Sequence, residues 1–191
     1  MTGARDRVLD AYETLLIGHG PGSATLDAVA AAAEVSKGGL LYHFASKDAL
    51  VTGLLDRLRE RSAADADAIR TAPDGAVDYY IRTSAPGGGQ PGGVTRTYLA
   101  VLRIADGSET GQAVREALAV VHAEEYDALH AELADPVLAW IAQLVGDGLY
   151  LRTLTGTPLP TELTVDALLA RMRRYLPDTP AGGRGLPEDP A

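Results

Sequence analysis

The sequence predicts an all-α protein, on three observations. Ala and Leu dominate while aromatic residues make up only 5% of the 191 positions, a balance that favours helix over strand. Apolar residues recur at three- and four-residue spacing, as on one face of a helix. Ser and Thr stand just before several such runs, and Gly or Pro just after, where caps and stops belong.

The elements follow in order. From Asp6 to Ile17, Val8, Tyr12, Leu15 and Leu16 fall at i, i+4, i+7 and i+8, and Gly18 and Gly20 are expected to stop this first helix. Thr25 offers an N-cap hydroxyl to a short helix with Leu26, Val29, Ala30 and Ala33, and Asp27 suits the positive end of its dipole. Ser36 is the next cap, so only a tight turn fits between. The helix it opens, about Lys37 to Phe44, carries Gly38 and Gly39, each weakening it by about 1 kcal/mol relative to Ala. Glycines there suit close approach to the backbone. Ser46 caps a longer helix running to about Thr71 through Leu50, Leu54, Leu55 and Leu58, and Pro73 breaks it. Further helices are predicted over 74–84, 94–105, 113–133, 137–154 and 164–176, about nine in all. The run APGGGQPGG at 85–93 reads as a flexible connector, and the Pro/Gly-rich tail 178–191 as disordered.

Bulk composition excludes several functions. There is no cysteine, so disulfides, thiolate metal sites and cysteine catalysis are out. No run of about 18 uncharged apolar residues exists to span a membrane. The first ten residues have no secretory apolar core, which makes the cytoplasm the expected compartment. The net charge is −9, yet residues 1–60 carry six Lys+Arg against eight Asp+Glu and the remainder eleven against eighteen. The acidity therefore lies mainly in the C-terminal part. A DNA partner would have to be gripped by local geometry rather than by overall attraction.

An Ala-lined helix, a short turn and a serine-capped helix make a helix-turn-helix, since two steeply crossing helices need small side chains at their contact. The run ATLDAVAAAAEVSKGGLLYHFASKDAL, preceded by VLDAYETLL, resembles the N-terminal domain of the TetR family of transcriptional regulators. The resemblance covers roughly residues 4–58; beyond that it is one of layout. It implies a DNA-binding domain over 1–61 and a helical ligand-sensing and dimerisation domain over 62–177. Two departures stand out: Glu34 occupies a turn position where many relatives have Gly, and Gly39 one where relatives often present a side chain to the bases.

The resemblance implies DNA contacts from Thr25, Ser36, Lys37, Gly38, Gly39, Tyr42, His43 and Lys47. Thr25 and Ser36 combine capping with a chance to hold phosphate; Lys37 would reach guanine or phosphate; Lys47 matches a phosphate clamp. Core packing is the alternative for Tyr42, and packing beside Phe44 for His43. One recognition helix reads only a few base pairs, so a homodimer on a palindromic operator is expected. Val137, Ile141, Leu144, Leu168, Met172 and Tyr175 are the candidate interface. Tyr79, Tyr98, Arg103, His122, Tyr126 and Trp140 are candidates for the pocket of an unidentified small-molecule effector, each with a plain core or surface role as its alternative. Arg103 would suit an anionic or carbonyl-bearing ligand, or a salt bridge. No cofactor is expected. His122 and His130 stand about 12 Å apart along one helix, too far to share a metal. No enzyme motif is present. Repression is the family's usual outcome. The competing reading is an all-α dimeric sensor or interaction module without DNA binding.

Overall fold

The computed structural model describes residues 3–86, 93–105 and 109–175, and among these every regular element is a helix. The connector at 87–92, Leu176 and the tail 178–191 lie outside the described residues. Among the described residues nine helices run in the order α1 (Ala4–His19), α2 (Leu26–Ala32), α3 (Lys37–His43), α4 (Lys47–Arg70), α5 (Ala76–Ser84), α6 (Gly93–Leu102), α7 (Glu109–Leu133), α8 (Pro136–Thr155) and α9 (Val165–Met172). Gly18 lies inside α1 and does not end it. Gly20, at φ +77°, closes that helix by donating its N–H to Leu16 O.

The helices enclose two cores. The first joins α1–α4 to α6 and the start of α7, through residues such as Leu9, Tyr12, Leu54, Ala100, Val101 and Val114. The second gathers Ile69 from the end of α4 with α5, α7, α8 and α9, around Ile81, Leu129, Ala142 and Leu169. The helix-turn-helix is therefore packed against part of the larger half, and α4 runs unbroken past the expected boundary at residue 61.

A buried polar hub fastens the first core. Glu13 is fully buried, and its carboxylate accepts from Arg57 (3.3 Å), Arg61 (3.2 Å), Arg96 (3.1 Å) and the Thr97 hydroxyl (2.7 Å). Arg57 also pairs with Asp6 and Asp10. A buried carboxylate is tolerable when its lone pairs are met by cations and hydroxyls. In the second core Asp78 is likewise paired, with Arg82 and Arg173.

Candidate functional site

Three hydroxyl caps build the face that the sequence marks out. Thr25 Oγ1 accepts from Ala28 N (3.2 Å), Ser36 Oγ from Gly39 N (3.0 Å) and Ser46 Oγ from Ala49 N (3.1 Å). The α2–α3 turn closes with Glu34 N donating to Ala31 O (3.2 Å) and Val35 N to Ala30 O (3.0 Å), the paired bonds of a Schellman motif. Glu34 sits in the left-handed region at φ +54°, at the position where the sequence comparison anticipates glycine. That conformation costs a non-glycine residue about 1–2 kcal/mol.

Phe44, 3% exposed, anchors the end of α3, and its ring lies on α4 where Gly53 has no side chain. A Cβ at Gly53 would stand 2.5 Å from the Phe44 ring. The anchored helix turns its other face outward. Tyr42 is 85% exposed, edge-on to the exposed His43 ring at 5.1 Å, and neither is packed in the core. A side chain at Gly38 would meet almost nothing, whereas one at Gly39 would press on Ser36 Oγ at 3.2 Å. Lys37 Nζ pairs with Asp27 at 2.9 Å, and Lys47 Nζ donates to Pro21 O at 3.0 Å. Caps, lysines and rings thus share one end of the molecule.

The larger half holds a partly open cavity of about 60 Å³ between α4, α5, α6, α7 and α8. Its walls are Asp65 from α4, Tyr80, Thr83 and Ser84 from α5, Val94, Thr95 and Tyr98 from α6, His122 and Glu125 from α7, and Asp147 and Tyr150 from α8. Tyr80 Oη donates to Asp147 (3.1 Å) and reaches Glu125 (3.4 Å). Tyr98 Oη and His122 Nε2 share a hydrogen bond at 3.1 Å, and Tyr98 meets Tyr150 edge-on at 5.4 Å. Burial, then the neighbouring Asp147 charge, pushes the Glu125 carboxyl up to about 8. Burial raises Asp65 as well, against the Tyr79 hydrogen bond. Tyr98 is pushed up to about 12 by burial and the Glu125 charge, and Tyr80 and Tyr150 are raised further, chiefly by burial.

Of the six expected pocket residues, Tyr98 and His122 line this cavity. Tyr126 and Trp140 lie with His122 along an open apolar groove of about 480 Å³ on the outside of α7 and α8. Tyr79 faces a shallower depression beside Arg61 and Gly93. Arg103 is exposed at the end of α6, where its Nε donates to Leu16 O (3.4 Å), and it belongs to none of these pockets. The acids Asp65, Glu125 and Asp147 were missed. The available signal was His122 and Glu125 one turn apart, which puts both on one helix face. His130 stacks on Tyr126 instead of joining His122.

Along α8 the core side carries Ala139, Ala142, Gln143, Gly146 and Leu149, with Leu138 and Val145 packed beside them, while Val137, Trp140, Ile141, Leu144 and Leu151 are about half exposed or more. Tyr175 is also exposed, whereas Leu168 and Met172 pack partly against the second core.

Comparison with known proteins agrees with this layout. Residues 8–54 match the model of the bacterial regulatory proteins of the tetR family, and residues 74–177 match the tetracyclin repressor-like C-terminal domain. The chain belongs to the TetR family. Among curated proteins, none matches the sequence. A solved structure described as a TetR-family regulator from Rhodococcus sp. shares 23% identity and a TM-score of 0.62, over 91% of this chain and 98% of that one. The multidrug binding protein EbrR complexed with ethidium shares 26% identity and a TM-score of 0.63, over 92% and 99%. NalD, the secondary repressor of the MexAB-OprM multidrug efflux pump in Pseudomonas aeruginosa, shares 18% identity and a TM-score of 0.63, over 91% and 96%. As a TetR-family regulator the chain has its helix-turn-helix in α2 and α3, and its C-terminal match takes in four of the five cavity-forming helices, all but α4. No helix of the described residues is long and apolar enough to cross a membrane.

Proposed function

We propose that this TetR-family chain is a ligand-responsive repressor that binds a palindromic operator as a homodimer. Residues 1–61 read DNA and residues 62–177 sense the effector and dimerise. The observation that carries the reading is the outward face of α3, where Tyr42, His43 and Gly38 stand exposed beside two lysines and three capped helix ends. Thr25, Ser36 and Lys47 contact phosphate; Lys37, Gly38, Gly39, Tyr42 and His43 approach the groove. Dimerisation uses the outward apolar face of α8 together with Tyr175. Leu168 and Met172 support it from beneath.

The small-molecule effector binds in the larger helical half. That EbrR is described with ethidium bound supports a regulatory half that takes up small molecules. Selection of binding sites from random duplex DNA, followed by gel-shift titration, tests the proposal. An enriched palindrome with half-sites about one helical turn apart, roughly 34–36 Å, is the expected result. One observation favours the competing module without DNA binding: both lysines are already engaged within the chain. No enrichment even at low salt would establish that reading instead.

A further inference from the structure

The cavity lacks a counter-charge where other buried acids of this protein have one. Glu13 faces three guanidinium groups and Asp78 faces two. Asp65, Glu125 and Asp147 have no ion-pair partner among the described residues, and no described Lys or Arg lines the cavity. Their partners are uncharged: Tyr80 for Glu125 and Asp147, the Gln143 amide for Glu125 as well, and Tyr79 for Asp65. Acidic side chains gathered out of water with no cation beside them carry a desolvation cost in either form, so packing alone gives no reason to gather them.

The ligating atoms converge. His122 and Glu125 stand one turn apart on α7, Asp147 faces them from α8, and one ring nitrogen and one oxygen from each acid all lie within 4.8 Å of one another. Ligands sharing an ion tetrahedrally at bonds of about 2.0–2.2 Å are separated by roughly 3.3–3.6 Å, so closing on an ion asks the side chains to draw together by up to about an ångström. Tyr98 steadies the His122 ring, as outer partners of metal-bound histidines do. Gln143, one turn before Asp147 on α8, donates to His122 O at 2.7 Å. Its own Oε1 is buried with no partner, an oxygen of the type hard cations accept.

We propose that the cavity is a cation site, in which His122, Glu125 and Asp147 receive a positive charge supplied from outside the chain. Volume favours a divalent metal ion with its water, because drug-sized ligands need about 300 Å³ or more and this space is about 60 Å³. The ammonium head of an organic molecule is the other source of the same charge. Cation uptake itself does not depend on the regulator reading; only its effect on operator binding rests on that reading.

Calorimetry and thermal melting of the full chain, stripped by chelator, test the site with four probes: zinc, manganese, choline and the uncharged carbon isostere of choline. The expected result is one cation per chain, with affinity at least tenfold weaker in both Asp147→Asn and Glu125→Gln. Dependence on His122, tested with His122→Gln, identifies a metal; indifference to it with retained choline binding identifies an organic cation. Without any cation, Asp147→Asn should melt above the wild type, because one unpaired charge is gone. The proposal is overturned if no cation binds saturably, if Asp147→Asn and Glu125→Gln bind as well as wild type, if the uncharged isostere matches choline, or if Asp147→Asn melts lower. A chain that takes up the cation but enriches no DNA keeps the site and loses only the regulator reading.

Discussion

Lys37 and Lys47 are the only two lysines of the sequence, and both are engaged by groups of the same chain. The Lys37–Asp27 pair is well exposed on both sides, and such pairs contribute about 1 kcal/mol or less. Phosphate or a guanine edge can therefore displace Asp27. Lys47→Ala should weaken binding to every duplex and lower the salt slope by about 1, whereas Lys37→Ala should also relax sequence preference. Gel-shift titrations at several salt concentrations read both, and wild-type affinity in both variants would remove these lysines from the interface. Asp27→Asn should tighten operator binding by up to about fivefold, since it frees Lys37 from the pair. Glu34 offers a separate check on stability. Gly at this left-handed position relieves about 1–2 kcal/mol of strain and gives back roughly 0.5–1 kcal/mol in chain entropy. Glu34→Gly is thus expected to raise unfolding free energy by up to about 1 kcal/mol in urea titration. A clear loss would mean that the Glu34 side chain makes a contact of its own.

Among the elements, α6 connects the two halves. Tyr98 and Thr95 line the cavity, while Arg96 and Thr97 bind Glu13 of α1 in the first core. On the proposed reading, occupation of the cavity would therefore act on a helix that packs against α1 of the first core. The Glu13 hub must also be structural. Glu13→Gln leaves buried guanidinium groups short of charge and should cost about 3 kcal/mol or more, read by chemical denaturation. Wild-type stability would show that the hub is not what joins the halves. The helices themselves were legible in the sequence because caps and periodicity are local: Thr25, Ser36, Ser46, Asp135 and Thr164 all accept from the first turn they precede. Phe44 was legible as core, but its seat on Gly53 was not, since a glycine inside a helix gives no sign of which ring covers it. The cavity was harder still. Its acids come from three helices, and only the His122–Glu125 spacing is visible within one of them. Arg103 misled because an isolated cation on an apolar helix looks the same whether it faces a ligand or a backbone carbonyl.

At the scale of the whole molecule, the outward apolar face of α8 is the strongest indication of what covers it. A helix that leaves Val137, Trp140, Ile141, Leu144 and Leu151 about half exposed or more would be poorly placed in a solitary chain. Clustered apolar exposure of this type is relieved when an identical face meets it across a two-fold axis. In the proposed dimer two recognition helices would stand at a set distance, and an acidic chain would gain by geometry the DNA affinity it lacks by charge. The double variant Ile141→Glu and Leu144→Glu places like charges against each other at that face. Light scattering on a sizing column should give twice the 20.0 kDa chain mass for wild type and a single chain mass for the variant. Operator affinity should fall by about a hundredfold or more, while half-site binding stays weak and unchanged because α3 is untouched. A variant that remains dimeric with full operator affinity would place the two-fold axis elsewhere, and the apolar face of α8 would then need a different partner.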